Sequence, residues 1–513
     1  MITVSDAWKD IQQRFLLPES HIEIECGITD DEAPSVARVS GVSETAFSNA
    51  QSVVGEKTDV AKIATTELNL WALDGTHTIL PDYAPYGNAG YVSNIESTGG
   101  VSFVFPSVRT IAISGITITW SETLGEYAKV FSVIGKNGAD IVSEVTVTDN
   151  KERTSVVFVP LENYDSITIT VHEWSLPYRR VRIENVVIGH ILKFDKKDLF
   201  SYSHEQDGDL LSGKIPKYHI EFTLDNSDGR WDPNNPTGMA QYLSERQKLT
   251  VRYGLDVNGT VEWIDAGRFY LSEWYAPPNG IEARFVARDA FEFLLNQDTS
   301  NNPNISTTIY GNLAFIARWA TSVNLPDGAS VVVDDPALTG SAARQPNITG
   351  SMAEVVQRCA NAACCIMRCS RDGVTHIESL NTAKTDYSIP LSLSYSYPEI
   401  TLSKPLAEVS VSYGAETPYL LRVSENGEQQ TLGNDYIYTA EAAEAVAAWV
   451  GNVLKNRKTI RGEFRADPRL DLYDIVEVED RYGRKLTVAI TNIKYTFNGS
   501  FRGSYAGRIL EEG

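Results

Sequence analysis

The chain has 513 residues, too many for one core when domains usually run to roughly 100–200 residues, so about three to five domains are expected. Its 67 acidic against 45 basic residues leave a formal charge of −22, which argues against a broad phosphate-binding face, because nucleic-acid binders neutralise backbone charge with Lys and Arg. With 22% charged and 42% hydrophobic residues no segment reads as disordered, and neither a basic-then-apolar leader nor an apolar run of membrane-spanning length occurs, so synthesis and folding in a cytoplasm are expected.

In chain order, residues 1–45 open with a short helix N-capped by Ser5 and a strand in "HIEIECGI". From 46 to 178 the texture is strand after strand, as in "GITITW", "AKVFSVIG", "SVVFVP" and "SITITVHEW". These short β-branched runs with Gly, Asn and Asp between them predict an antiparallel β-sandwich of jelly-roll type. Trp71, Trp120, Tyr127 and Trp174 in this stretch are either faces that stack on sugar rings or aromatic core, the commoner use of such residues.

The block 179–300 is β-rich with long hairpins, among them the meander "QKLTVRYG", "TVEWIDAGRFYLSEWYA", "IEARFVARD", whose Asn279-Gly280 pair is a strong hairpin signal. His204, Asp207 and Asp209 in "SHEQDGD" suit either a shared cation or a solvated loop. In "DNSDGRWDPNNP" the aspartates at 225, 228 and 232 fail the spacing of a calcium loop of EF type. A turn fits better, with Pro233 and Pro236 forbidding regular pairing and Trp231 needing burial beneath the loop or in a partner subunit.

Residues 301–395 mix helices and hairpins and predict a small α+β domain. Cys359, Cys364, Cys365 and Cys369 crowd together there, but the gaps do not match a zinc ribbon. The plainer reading is a helix over 352–363 entering a strand at 364–369, with thiols as small buried hydrophobes. The last block, 396–513, carries a helix over 439–457 N-capped by Thr439, with Val446, Trp449, Val450, Val453 and Leu454 on one face. A second meander with an Asn498-Gly499 turn follows. The two meanders read either as an internal duplication or as two hairpins that share turn chemistry.

No nucleophile elbow, phosphate loop, dinucleotide fingerprint or paired-His zinc helix occurs, so no catalytic residue, metal site or cofactor is expected. The segments "IPKYHIEFTLDNSDGRWDPNNPTGMAQYLSERQKLTVRYGL", "VEWIDAGRFYLSEWYAPPNGIEARFVARD" and "RADPRLDLYDIVEVEDRYGRKLTVAITNIKYTFNGSFRGSYAGRIL" resemble the tail-hub, or baseplate-hub, proteins of long-tailed bacteriophages and prophages of Gram-positive hosts. The resemblance covers about 179–513, and its motif residues Trp231, Pro233, Trp263, Asn279, Gly280, Asn498 and Gly499 are structural signatures.

That resemblance implies a mainly β, multidomain protein: two hub-type β-barrel domains (179–300 and 396–513), a minor α+β part and the inserted sandwich, which is similar to galactose-binding-like or carbohydrate-binding modules. It implies a homotrimer in the virion tail tip, matching a sixfold tail tube or distal tail ring to a threefold tip and lining the channel for DNA delivery. The implied neighbours are a distal tail or tube protein, a tape-measure protein and tail fibre or receptor-binding proteins, with DNA only in transit. An alternative is host-surface glycan binding through 46–178. Cell-wall hydrolysis is the least favoured, since the chain stops at Gly513, where many such hubs continue into a peptidase or muramidase region.

Overall fold

The computed structural model describes residues 1–14, 19–30, 32–42, 64–65, 100–120, 125–176, 181–235, 238–277, 280–299, 310–321, 325, 329–333, 335–340, 342–344, 348–414 and 417–512. The chain is mainly β and divides into two compact units, one of Glu25–Lys193 with Pro233–Gln247 and one of Met1–Ile24, Phe194–Asp232 and Lys248–Gly513. No helix among the described residues is long and apolar enough to cross a membrane.

The first of these units is built from alternating strands. β1 (Arg38–Val42), β2 (Gly100–Arg109), β3 (Ile113–Thr119), β4 (Ala128–Asn137), β5 (Asp140–Val147), β6 (Thr154–Leu161), β7 (Tyr164–Trp174) and β8 (Asn185–Asp195) form two antiparallel sets, β1-β2-β7-β4-β5 and β8-β3-β6. Strand β6 shows why: its residues alternate exposed and buried, so one face must be covered. Phe103, Ile116, Ile118, Phe131, Tyr164 and Ile169 meet in one core, where Trp120 packs edge-on against Phe131 and Trp174. Arg109 stitches this unit through a buried ion pair, donating from Nε and Nη2 to the two Asp30 oxygens at 2.8 and 2.6 Å. Gly189 sits at φ 133°, and a Cβ there would lie 2.1 Å from the Ile28 carbonyl oxygen, so glycine is required at that crossing.

The other unit begins with α1 (Asp6–Gln12), capped by Ser5 as expected, and contains two β modules. The first module is β9 (Leu199–Asp207), β10 (Lys217–Asp225), β11 (Lys248–Val257), β12 (Thr260–Tyr275) and β13 (Glu282–Arg288), in the order β9-β10-β13-β12-β11.

An α+β part follows with α2 (Phe291–Leu295), α3 (Leu313–Thr321), α4 (Met352–Ala362), the hairpin β14 (Ile366–Cys369) and β15 (Val374–Glu378), and strand β16 (Lys384–Ile389). Ser351 and Glu354 close a capping box on α4. Then come β17 (Glu399–Leu402), β18 (Leu406–Ser412), β19 (Tyr419–Arg422), β20 (Glu428–Gly433) and α5 (Ala440–Leu454), capped by Thr439. The second module closes with β21 (Lys458–Phe464), β22 (Ile475–Glu479), β23 (Lys485–Phe497) and β24 (Phe501–Glu512).

Two differences from the sequence reading concern α5. Its buried face is Ala443, Val446, Ala447, Val450 and Gly451, while Trp449, Val453 and Leu454 lie partly buried at the flank. Small residues win the centre because they let the helix approach its sheet closely: a Cβ on Gly451 would touch Leu421 at 3.3 Å. The same core runs from Phe291 through α3 and α4 to Val409, Val411 and Val450, so α5 packs with the α+β part across the boundary expected at 395–396.

Candidate functional site

The two β modules share one plan. Strands β9-β10-β13-β12-β11 pair antiparallel throughout, and so do β17-β21-β24-β23-β22. In each, a leading strand flanks a four-strand set whose spatial order is first, fourth, third, second. Shared turn chemistry alone does not produce a shared strand order, so the duplication reading of the meanders stands on topology. The stretches 179–300 and 396–513 hold these two sheets.

They meet at a strand-to-strand junction. β9, the leading strand of the first module, pairs with β10 on one edge and with β23 of the second module on the other, in register from Tyr202↔Phe497 to Asp207↔Asn492. Successive side chains of β9 point to opposite faces, so its second half alternates buried and half-buried, and the buried side chains form an aromatic and polar knot.

His204 is wholly buried among Tyr253, Phe269 and Tyr495. The Gln206 amide donates to His204 Nε2 at 3.4 Å, which leaves Nδ1–H to donate to the Tyr253 hydroxyl at 2.9 Å; the Tyr202 hydroxyl lies 2.8 Å beyond. Burial, helped by the Arg371 charge, pulls the His204 pKa down to about 3, so the ring is neutral.

Arg371, in the β14–β15 turn, binds both modules at once. It donates from Nε to Asp471 at 2.8 Å, from Nη1 to the Asp265 carbonyl of β12 at 2.8 Å, and from Nη2 to the Pro468 and Leu470 carbonyls at 2.7 and 3.0 Å. Burial alone would raise the Asp471 carboxyl, but the Arg371 charge, the N-terminal ammonium and the hydrogen bonds from Arg371 and Gln206 together outweigh it and hold the group below its ordinary value. The Tyr495 hydroxyl donates to the Leu470 carbonyl at 2.8 Å, so the 465–474 loop is held from both sides. This arrangement fixes two modules in one relative position; it brings no nucleophile and base together.

Trp231 is buried beneath its own loop. Its ring lies edge-on to Phe194 and Phe285, with centroids at 5.7 and 5.5 Å, and Phe222 stacks on Phe285 at 5.0 Å. The Trp231 amide donates to Asn226 Oδ1 at 2.8 Å, while the Asn226 amide donates to the Ile281 carbonyl at 2.7 Å, which ties this loop to the Gly280 turn. Asp225 and Asp228 are spent accepting from the backbone amides of Ser227 and Arg230, as turn-formers do.

Pro233 is exposed at the start of the next segment, and Trp263 is half-buried under the Arg252 guanidinium at 4.6 Å from its ring. Gly280 and Gly499 take φ values of 68° and 79°, as their turns require, and Asn498 is exposed beside Gly499. Asn279 lies outside the described residues.

Trp120 and Trp174 are fully buried, with indole N–H groups donating to Ser155 and Glu126, so neither offers a face to a sugar ring. Their size suits the centre of the sandwich core, which is where aromatic area contributes most. Tyr127 is partly buried against that core, and Trp71 lies outside the described residues.

Asp207 pairs with Lys214 at 2.5 Å and Asp209 accepts from the amides of Leu211 and Gly213, so with His204 turned inward the three do not converge on a cation. Cys359 and Cys365 are buried and Cys364 and Cys369 packed against the α+β core; burial pushes the Cys364 and Cys365 thiols up to about 11 and about 12. Among the described residues, no group of three or more His, Cys, Asp or Glu is placed to hold a metal ion.

No family model and no curated protein matches the sequence. Solved structures similar to this one include a 43 kDa tail protein of prophage MuSo2 from Shewanella oneidensis, with 15% identity and a TM-score of 0.43 over 62% of this chain and 94% of that one. A tail protein from Neisseria meningitidis MC58 has 12% identity and a TM-score of 0.44, also over 62% of this chain and 94% of its own. Prophage tail protein gp18 from Listeria monocytogenes EGD-e has 10% identity and a TM-score of 0.42, over 62% and 90%.

Proposed function

We propose that this chain is a structural component of a phage tail tip: a trimeric hub that joins the sixfold tail tube or distal tail ring to a threefold tip and lines the channel through which DNA passes. The observation that carries the reading is the duplicated module. A chain with two like modules held in one fixed relation presents two similar surfaces per copy, so three copies offer six to a sixfold neighbour. The sequence resemblance over about 179–513 supports the same role. A charge of −22 suits a conduit for DNA, because an acidic wall repels phosphate instead of retaining it.

The reading places the protein in the virion beside a distal tail or tube protein, a tape-measure protein and fibre or receptor-binding proteins, and it assigns no catalysis. Electron cryo-microscopy of tails labelled through a tag on this chain tests it. The expected result is three copies at the tip, each contributing two adjacent modules to one ring; tails that assemble fully without the protein overturn it.

A further inference from the structure

The duplication leaves two strand edges unmatched, and they are the complementary ones. Within the chain, the leading strand of the first module (β9) lends its outer edge to the third strand of the second module's set (β23). The same pairing in the other direction would join the leading strand of the second module (β17) to the third strand of the first module's set (β12). Among the described residues, β17 pairs only with β21, and the Leu271–Tyr275 end of β12 pairs only with β13, since the β11 ladder starts at Lys248↔Tyr270.

β17 also shows what an uncovered strand looks like. All four of its residues are exposed, whereas its counterpart β9 alternates. Ladder-like bonds carry the chain along β21 from Leu393 to Ser403, through Arg465 N to the Leu393 carbonyl at 2.7 Å and Ser403 N to the Arg457 carbonyl at 2.9 Å. Along that run Tyr397 is 68% exposed and Leu402 58%. On the other unmatched edge, that of β12, Tyr275 is 43% exposed and Glu273 is exposed with it. A free edge strand carrying apolar side chains is a template for another strand.

We propose that the occupant is a second copy of this chain: β17 of one copy pairs antiparallel with the Leu271–Tyr275 end of β12 in the next, repeating between copies the β9–β23 junction found within one. The contact is head-to-tail, so each copy gives one edge and receives another, and successive copies close into a ring when the rotation allows. This rests on the hub reading for the ring itself and adds the strands that join it.

Cysteine cross-linking of the full chain tests it. Chains carrying Thr401→Cys are mixed with chains carrying Ser272→Cys, Glu273→Cys or Trp274→Cys under mild oxidation, with each variant alone as control. The expected result is a disulfide-linked dimer in the mixture with at least one partner variant and none in the controls, together with loss of the multimer in Leu402→Lys at an unchanged far-UV circular dichroism spectrum. A multimer of wild-type mass with no cross-link in any combination overturns the strand pairing and leaves the hub reading standing. A chain that stays monomeric and uncross-linked also overturns the pairing, and the hub reading is then decided by its presence in tails.

Discussion

Arg371 sits in a hairpin turn, yet its guanidinium makes four hydrogen bonds, one to β12 and three to the 465–474 loop, and the bond to Asp471 is charged. Truncating it strands Asp471 without its main counter-charge and frees the 465–474 loop. Arg371→Ala is therefore expected to cost about 3–5 kcal/mol in chemical denaturation, and Arg371→Lys nearly as much because an ammonium cannot reproduce the planar fork. Trp231→Ala, which empties the aromatic nest under the acidic loop, is expected to cost about 3–5 kcal/mol by the same measurement.

Asp289 is the opposite case. It is buried, its Oδ1 accepts from the Phe291 amide, and its Oδ2 has no hydrogen-bond partner. Burial pushes its pKa up to about 8; Glu292 adds to the rise, and Arg288 and the backbone bonds offset too little of it. Tyr218 and the Cys369 thiol face it as well, neither charged at neutral pH. The folded-state pKa exceeds the unfolded value, so the fold is favoured at low pH and loses stability as pH rises toward about 8, by about 1.4 kcal/mol per unit at most. Asp289→Asn is expected to match wild type near pH 4 and to gain on it progressively up to about pH 8, read from urea midpoints across that range.

At the level of elements, caps and turns were legible in the sequence because they depend on neighbours along the chain. Ser5 and Thr439, the N-caps read from the sequence, each accept from a backbone amide three residues on, and Ser351, which the sequence reading did not single out, does the same. Thr439→Ala is expected to lower stability by about 1 kcal/mol and to raise amide exchange first in the opening turn of α5. The buried face of α5 was read too far toward its bulky residues, since which stripe a helix buries depends on how close its partner sheet comes, and that partner, β18 with β19, is remote in sequence from the rest of the core. The burial of Trp231 under its own loop was half legible. Its need for cover follows from its chemistry, but the cover is Phe194 and Phe285, about 40 and 50 residues away.

For the whole molecule, His204 and Asp289 act in opposite senses. His204 has a folded pKa of about 3, below its unfolded value, so its contribution is present above pH 6.5 and is lost as pH falls toward 3. Between about pH 4 and 6.5 the two slopes oppose one another, and above that window Asp289 alone tilts stability downward. The wild-type stability profile should therefore be nearly flat with respect to these two groups in mildly acid buffer and fall towards pH 8, whereas Asp289→Asn should rise with pH through the acid range and then level off.

By itself the sequence determined the strand-rich class, the helix starts, the turn residues and the failure of any calcium or zinc spacing, since each of these is set by short-range sterics and hydrogen bonding. Only the tertiary structure decided that the two meanders share one strand order, that His204 turns inward to Tyr253, that Arg371 ties both modules together, and that Trp120 and Trp174 are core. Those facts rest on contacts between residues far apart in the chain, whose energies are felt only after the sheets have assembled.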